Sequence, residues 1–185
     1  PLLELSADST PVSCNGGSDG SVDLTVVGGT PGYTYAWSDP TYDGTEDPSG
    51  LPAGPISVTV TDNNGCVDSL TIVITEPTDI VASATPSDAL CFGDASGSID
   101  VTVSGGTVSG DYTYTWTPDQ GNVQDPTGLI AGTYSVVIED DNGCTETIND
   151  IVINEPDSLG ITGTSTDALC GVNNGTIDIT VTGGT

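Results

Sequence analysis

The sequence has 185 residues, 27 of them acidic and none Lys, Arg or His, so its formal charge is −27 at pH 7. No side-chain ion pair can form, no phosphate can be neutralised, and the commonest general base, Schiff-base former and imidazole ligand are missing, which argues against nucleic-acid binding, attachment to anionic membranes and enzyme catalysis. Hydrophobic residues make up 35% and alternate with polar ones, which favours folded strands over disorder, and no apolar run reaches the ~18 residues of a membrane span.

The sequence begins at Pro1 rather than Met and shows no signal-peptide pattern, so it is expected to be an excerpt from something longer. After Cys14 the first clear strand holds Val22, Leu24 and Val26, alternating with Asp23 and Thr25, so one face is buried and one is wet. Gly28-Gly29 closes it. No helix follows, so the pair is a turn and not a phosphate loop. "YTYAW" then sets Tyr33, Tyr35 and Trp37 on one side of the next strand, where Tyr35 and Trp37 are expected to anchor a core rather than stack on sugars. Ile56, Val58 and Val60 form another strand, "DNNG" a turn before Cys66, and Leu70, Ile72 and Ile74 the last strand before Glu76-Pro77. "DNNG" lacks the further ligands of a calcium loop, whereas Asn-Gly between two alternating runs is a strong hairpin signal because both residues tolerate positive φ.

The whole pattern then repeats. "CNGGSDGSVDLTVVGGT" at 14–30 returns at 91–107 as "CFGDASGSIDVTVSGGT" and at 170–185 as "CGVNNGTIDITVTGGT". Trp37 returns as Trp116, Tyr35 as Tyr114, Cys66 as Cys144 and Glu76-Pro77 as Glu155-Pro156, at spacings of 77 to 79 residues. These matches predict complete repeats over 1–77 and 78–156 and a third, 157–185, that stops in mid-module, so the native chain is expected to continue. With about seven short strands per repeat and Trp on the third, the expected fold is all-β: tandem immunoglobulin-like β-sandwich repeats of about 78 residues. Trp116 and Tyr114 are expected in the second core. Tyr134, after "LIAG", is a candidate tyrosine corner, which Ile56 replaces in the first repeat.

Five cysteines in small all-β modules favour an oxidising, extracellular setting. Within-repeat pairing gives Cys14–Cys66 and Cys91–Cys144 and leaves Cys170 unpaired. Against it stands the sandwich topology, which sets the first loop and the last hairpin at opposite ends and would allow Cys14 to bond Cys144 of the neighbouring repeat. The uncompensated charge suggests weak calcium binding at module junctions, near Asp43, Glu46, Asp47, Glu76 and Asp79, and no other cofactor.

"CFGDASGSIDVTVSGGT", "YTYTW", "GLIAGTYSV", "DNGC" and "INEP" together resemble the SprB repeat, over essentially the whole chain. The resemblance implies surface display in the long adhesins of gliding bacteria exported by the type IX secretion system. It implies an extracellular location and partners among adjacent repeats and the cell-surface gliding or secretion machinery. It also directs attention to Asp-Ser/Thr-hydrophobic triplets as O-glycosylation candidates, here at Ser9, Ser69 and Ser158. Short connectors, "ITEPTDIVAS" and "INEPDSLGIT", and repulsion between acidic modules independently suit a semi-rigid stalk. Two other readings are a carbohydrate-binding module using exposed rings and a subunit of a filament or sheath built from other copies of the chain. Neither nucleic acid nor direct membrane insertion is expected.

Overall fold

The computed structural model describes residues 2–185; its regular structure is antiparallel strand apart from one short 3-10 turn, and the chain forms two compact units. The first unit is built on residues up to Ile80, with Gly105–Asp111 and Glu139–Cys144; the second holds Val81–Ser104, Tyr112–Ile138 and Thr145–Thr185.

In the first unit one sheet orders β1 (Glu4–Thr10), β2 (Gly20–Val27) and the short β4 (Ser49–Leu51) as β1-β2-β4; the other orders β3 (Thr34–Trp37), β5 (Gly54–Thr61) and β6 (Val67–Ile74) as β3-β5-β6. Alternation decides which side chains turn inward. Val22 and Leu24 from one sheet meet Trp37, Val58, Val60 and Ile74 from the other, all buried. The β3–β5 register pairs Trp37 with Val58 and Tyr35 with Val60.

The second unit has the same plan. One sheet orders β10 (Thr127–Leu129), β8 (Gly97–Ser104) and β7 (Val81–Ser87); the other orders β12 (Thr145–Ile153), β11 (Gly132–Glu139) and β9 (Thr113–Thr117). Its core holds Ile99, Val101, Tyr114, Trp116, Val136 and Ile138. A further hairpin, β13 (Gly160–Thr166) with β14 (Thr176–Thr182), repeats the β1–β2 pairing, but every residue of β14 is exposed.

The expected fold class therefore holds as tandem β-sandwiches, with one correction. Each repeat has six strands rather than about seven. Between Trp37 and Ser49 the chain forms a single 3-10 turn, Pro40–Tyr42, and loop. Proline supplies no ladder N–H, so Pro40 and Pro48 break the run. The stretch of β2 that the short β4 does not cover is satisfied another way. Its Leu24 N–H donates to the Asp47 carboxylate at 2.9 Å and its Val22 N–H to the Pro48 carbonyl at 3.0 Å. Asp125 and Pro126 do the same for Val101 and Ile99.

Each tryptophan spans its core with the polar end satisfied. Trp37 Nε1 donates to the Thr45 carbonyl and Trp116 Nε1 to the Val123 carbonyl, both at 2.8 Å. Tyr134 does form the corner, its hydroxyl donating to the Ile130 carbonyl at 2.9 Å. In the first repeat, where Ile56 stands instead, the hydroxyl of Tyr42 reaches the Gly50 carbonyl at 3.0 Å. The paired glycines have a packing reason as well as a turn to make. A Cβ on Gly28 or Gly105, both at positive φ, would overlap the carbonyl oxygen of Leu2 or Asp79, just ahead of the paired strands β1 and β7.

Candidate functional site

The chemistry-bearing groups gather where the loop after β1 meets the β11–β12 hairpin, all within the first unit. Cys14 sits in a loop fastened from three sides. Its carbonyl accepts Gly17 N–H at 3.0 Å, the Glu76 carboxylate accepts Gly16 N–H at 2.7 Å, and Asn15 Nδ2 donates to the Pro77 carbonyl at 3.0 Å. Asp19 accepts both the hydroxyl and the N–H of Ser13, which hold its carboxyl below the usual carboxylate range, the hydroxyl most. Glu76-Pro77 thus does more than end the module. It clamps the cysteine loop.

On the other side, Asp140 organises the hairpin. One carboxylate oxygen accepts Asn142 N–H at 3.0 Å and Cys144 N–H at 2.8 Å; the other accepts Thr107 N–H at 2.8 Å. Asp62 repeats this with Asn64, Cys66 and Thr30, at 2.9, 2.8 and 2.8 Å. Both carboxylates are buried in a chain without a single basic side chain. Backbone N–H groups stand in for the missing counterion, and at Asp62 they hold the pKa below the usual carboxylate value, Thr30 N–H contributing most.

Between loop and hairpin runs the disulfide Cys14–Cys144, while Asn142 Nδ2 donates to the Ser13 carbonyl at 3.0 Å. The within-repeat pairings Cys14–Cys66 and Cys91–Cys144 are not made, and Cys66, Cys91 and Cys170 are exposed thiols. The reason is the length of β6. Val12 N–H bonds the Thr75 carbonyl at 3.0 Å, so the Cys14 loop lies beside the far end of β6, and Cys66 immediately precedes its first residue. Eight residues at ~3.3 Å each separate those ends by roughly 26 Å. No rotamer closes that distance.

The expected calcium ligands are not brought together. Among the described residues no three acidic or cysteine side chains are placed to hold a metal ion. Asp43 accepts Trp37 N–H at 2.7 Å, Asp47 and Glu76 bind backbone as above, and Asp79 is exposed. Glu46 faces the phenol of Tyr35, whose pKa is pushed up to about 12, first by burial and then by that carboxylate. Trp37, Trp116 and Tyr114 are 5%, 3% and 6% exposed, so their rings offer no stacking platform, and Tyr35 is half-buried against the core. Ser9, Ser69 and Ser158 are all exposed, although the Ser69 hydroxyl pairs with that of Thr59 at 3.1 Å. The clamps were missed from sequence alone. Their signal is acidic residues at matching repeat positions beside turns: Asp47 and Asp125, Asp62 and Asp140, Glu76 and Glu155.

A family model described as the SprB repeat matches residues 6–41 and 83–121. No curated protein matches the chain. Among solved structures it is similar to the three N-terminal domains of the Highly Immunogenic Outer Capsid protein (Hoc) of bacteriophage RB49, with TM-score 0.50 and 14% identity over 98% of this chain and 70% of that one. That likeness concerns the fold alone.

Proposed function

Because a model of the SprB repeat matches two stretches of the chain, we propose that it is a structural spacer within a long secreted adhesin, displayed on the cell surface for gliding or attachment and exported by the type IX route. The observation that carries the spacer reading is the covalent joint. Cys14–Cys144 ties the loop of one repeat to the hairpin of the next, a use of cysteine suited to a chain that bears tension. The acidic surface supports the same reading, since like-charged modules repel along an array and stay apart from their neighbours. The absence of Lys and Arg leaves no trypsin site, an advantage for an exposed fibre. Burial of both tryptophans weighs against the carbohydrate-binding alternative. Antibody fragments raised against residues 1–185 should label intact source cells and reduce their attachment or gliding. Labelling confined to lysed cells would overturn surface display; labelling without any effect on attachment or movement would overturn the adhesin role.

A further inference from the structure

The Cys14–Cys144 joint has two halves, and each is present a second time in the chain. The loop half at Cys91 copies that at Cys14. Asp94 N–H bonds the Cys91 carbonyl at 3.1 Å, as Gly17 N–H bonds that of Cys14 at 3.0 Å. Glu155 accepts Gly93 N–H at 2.6 Å, as Glu76 accepts Gly16 N–H at 2.7 Å, and Gly93 and Gly16 share φ near +70° (71° and 69°). The hairpin half at Cys66 copies that at Cys144, through the matching carboxylate cages of Asp62 and Asp140.

The groove at Cys91 is open and of mixed lining, with Asp157 and Ser158 beside its apolar residues. Leu90, Phe92, Pro156, Leu159 and Thr185 line it, and Leu90, Phe92 and Leu159 are 72%, 59% and 62% exposed. Phe92 is the sequence's one phenylalanine. Pro156 and Thr185 stand where Pro77 and Thr107 line the corresponding groove, which contains Asn142 of the docked hairpin.

We propose that the Cys91 groove is the seat for an Asp-Asn-Asn-Gly-Cys hairpin of another complete repeat, bonded there through its cysteine, and that Cys66 is the matching hairpin for the loop cysteine of a third. Each thiol of a pair loses its proton. A small-molecule disulfide accepts the pair's two electrons by exchange and leaves as two thiols. The inference rests on the repeated geometry and stands whether or not the chain serves adhesion.

Two copies of residues 1–156 joined directly test it. Gly183 packs on the Ser158 carbonyl as Gly28 does on that of Leu2, so residue 1 can follow residue 156 in register. No residue after Ile153 is buried, so both cores are retained. After folding in oxidised and reduced glutathione, peptide mapping should find Cys91 of the first copy bonded to Cys66 of the second, beside Cys14–Cys144 in each. Of the eight cysteines, two should then react with maleimide: Cys66 of the first copy and Cys91 of the second. Four reactive thiols, or Cys91 bonded elsewhere, would overturn the proposal. The same map on protein isolated from its source is independent of the fusion. There Cys91 should be found in a disulfide with an Asn-Gly-Cys peptide, and a free Cys91 thiol would overturn the proposal equally.

Discussion

Asp62 shows how a single carboxylate can organise a hairpin in a protein without cations. Its folded pKa lies below the ordinary value because Thr30, Cys66 and Asn64 donate backbone N–H groups to the ionised form. A depressed pKa contributes stability that is fully present above the unfolded value near 3.9 and is lost as pH falls through the folded value. Asp62→Asn should therefore melt several degrees below the parent at pH 7, with the gap narrowing as both are taken towards pH 2. A gap unchanged by acid would show that the charge on Asp62 is not what matters. Comparing the two proteins at each pH cancels the general relief of repulsion as the other acids protonate. Gly105 offers a steric test. With φ at +90° and the Asp79 carbonyl against its Hα, Gly105→Ala should cost about 3 kcal/mol or more in urea unfolding. A cost under about 1 kcal/mol would mean the strand entry can shift aside.

At the level of elements, the strands were legible because their side chains alternate with a period of two. Val58, Val60, Val136 and Ile138 are fully buried as that alternation requires. The β12 strand departs from its counterpart in a way that alternation does not reveal. It has nine residues against eight in β6, and Asp150 takes φ of +56°. Placing the additional residue in a left-handed conformation lets Ile151 and Ile153 stay inward, as Ile72 and Ile74 do. Asp tolerates that conformation and a β-branched residue does not. Asp150→Val should destabilise by about 1–2 kcal/mol while Asp150→Gly is neutral or stabilising. Equal losses from both, measured by denaturant unfolding, would point to the Asp side chain and not its backbone.

For the whole molecule the disulfide dominates. Closing a span of 130 residues stabilises the oxidised chain by about 5 kcal/mol through loop entropy. It also hides length. Stretched from its ends, the oxidised chain keeps the residues between Cys14 and Cys144 out of the extended contour, and reduction should release about 440 Å at ~3.4 Å per residue. Equal contour lengths with and without reductant would mean the bond is absent in solution. Charge acts at the same scale. Salt should raise the melting temperature by screening a net −27, since the Debye length is about 10 Å at 0.1 M. Calcium at matched ionic strength should do no more than sodium, because the expected acidic ligands are spread over separate backbone contacts. A saturable rise specific to calcium would restore the site.

The repeat, the four strands with clear alternation, the buried tryptophans and the turn at each Asn-Gly follow from the sequence by itself, because period, propensity and turn chemistry act over a few neighbours; β1 and β4, which lack that alternation, did not. Tyr134 was legible as a corner for the same reason: its partner Ile130 lies four residues away. What Cys14, Asp47, Asp62 and Glu76 do was settled only by tertiary structure. Each takes a partner 23 to 130 positions away in the chain, although Asp62 also holds the nearby N–H groups of Asn64 and Cys66. Local spacing made Cys66 a plausible mate for Cys14, but an eight-residue strand holds the two at opposite ends, and the hairpin of the following repeat arrives instead. Sequence proximity measures the entropy of closing a loop. Only the folded strands decide which thiols come within bonding distance.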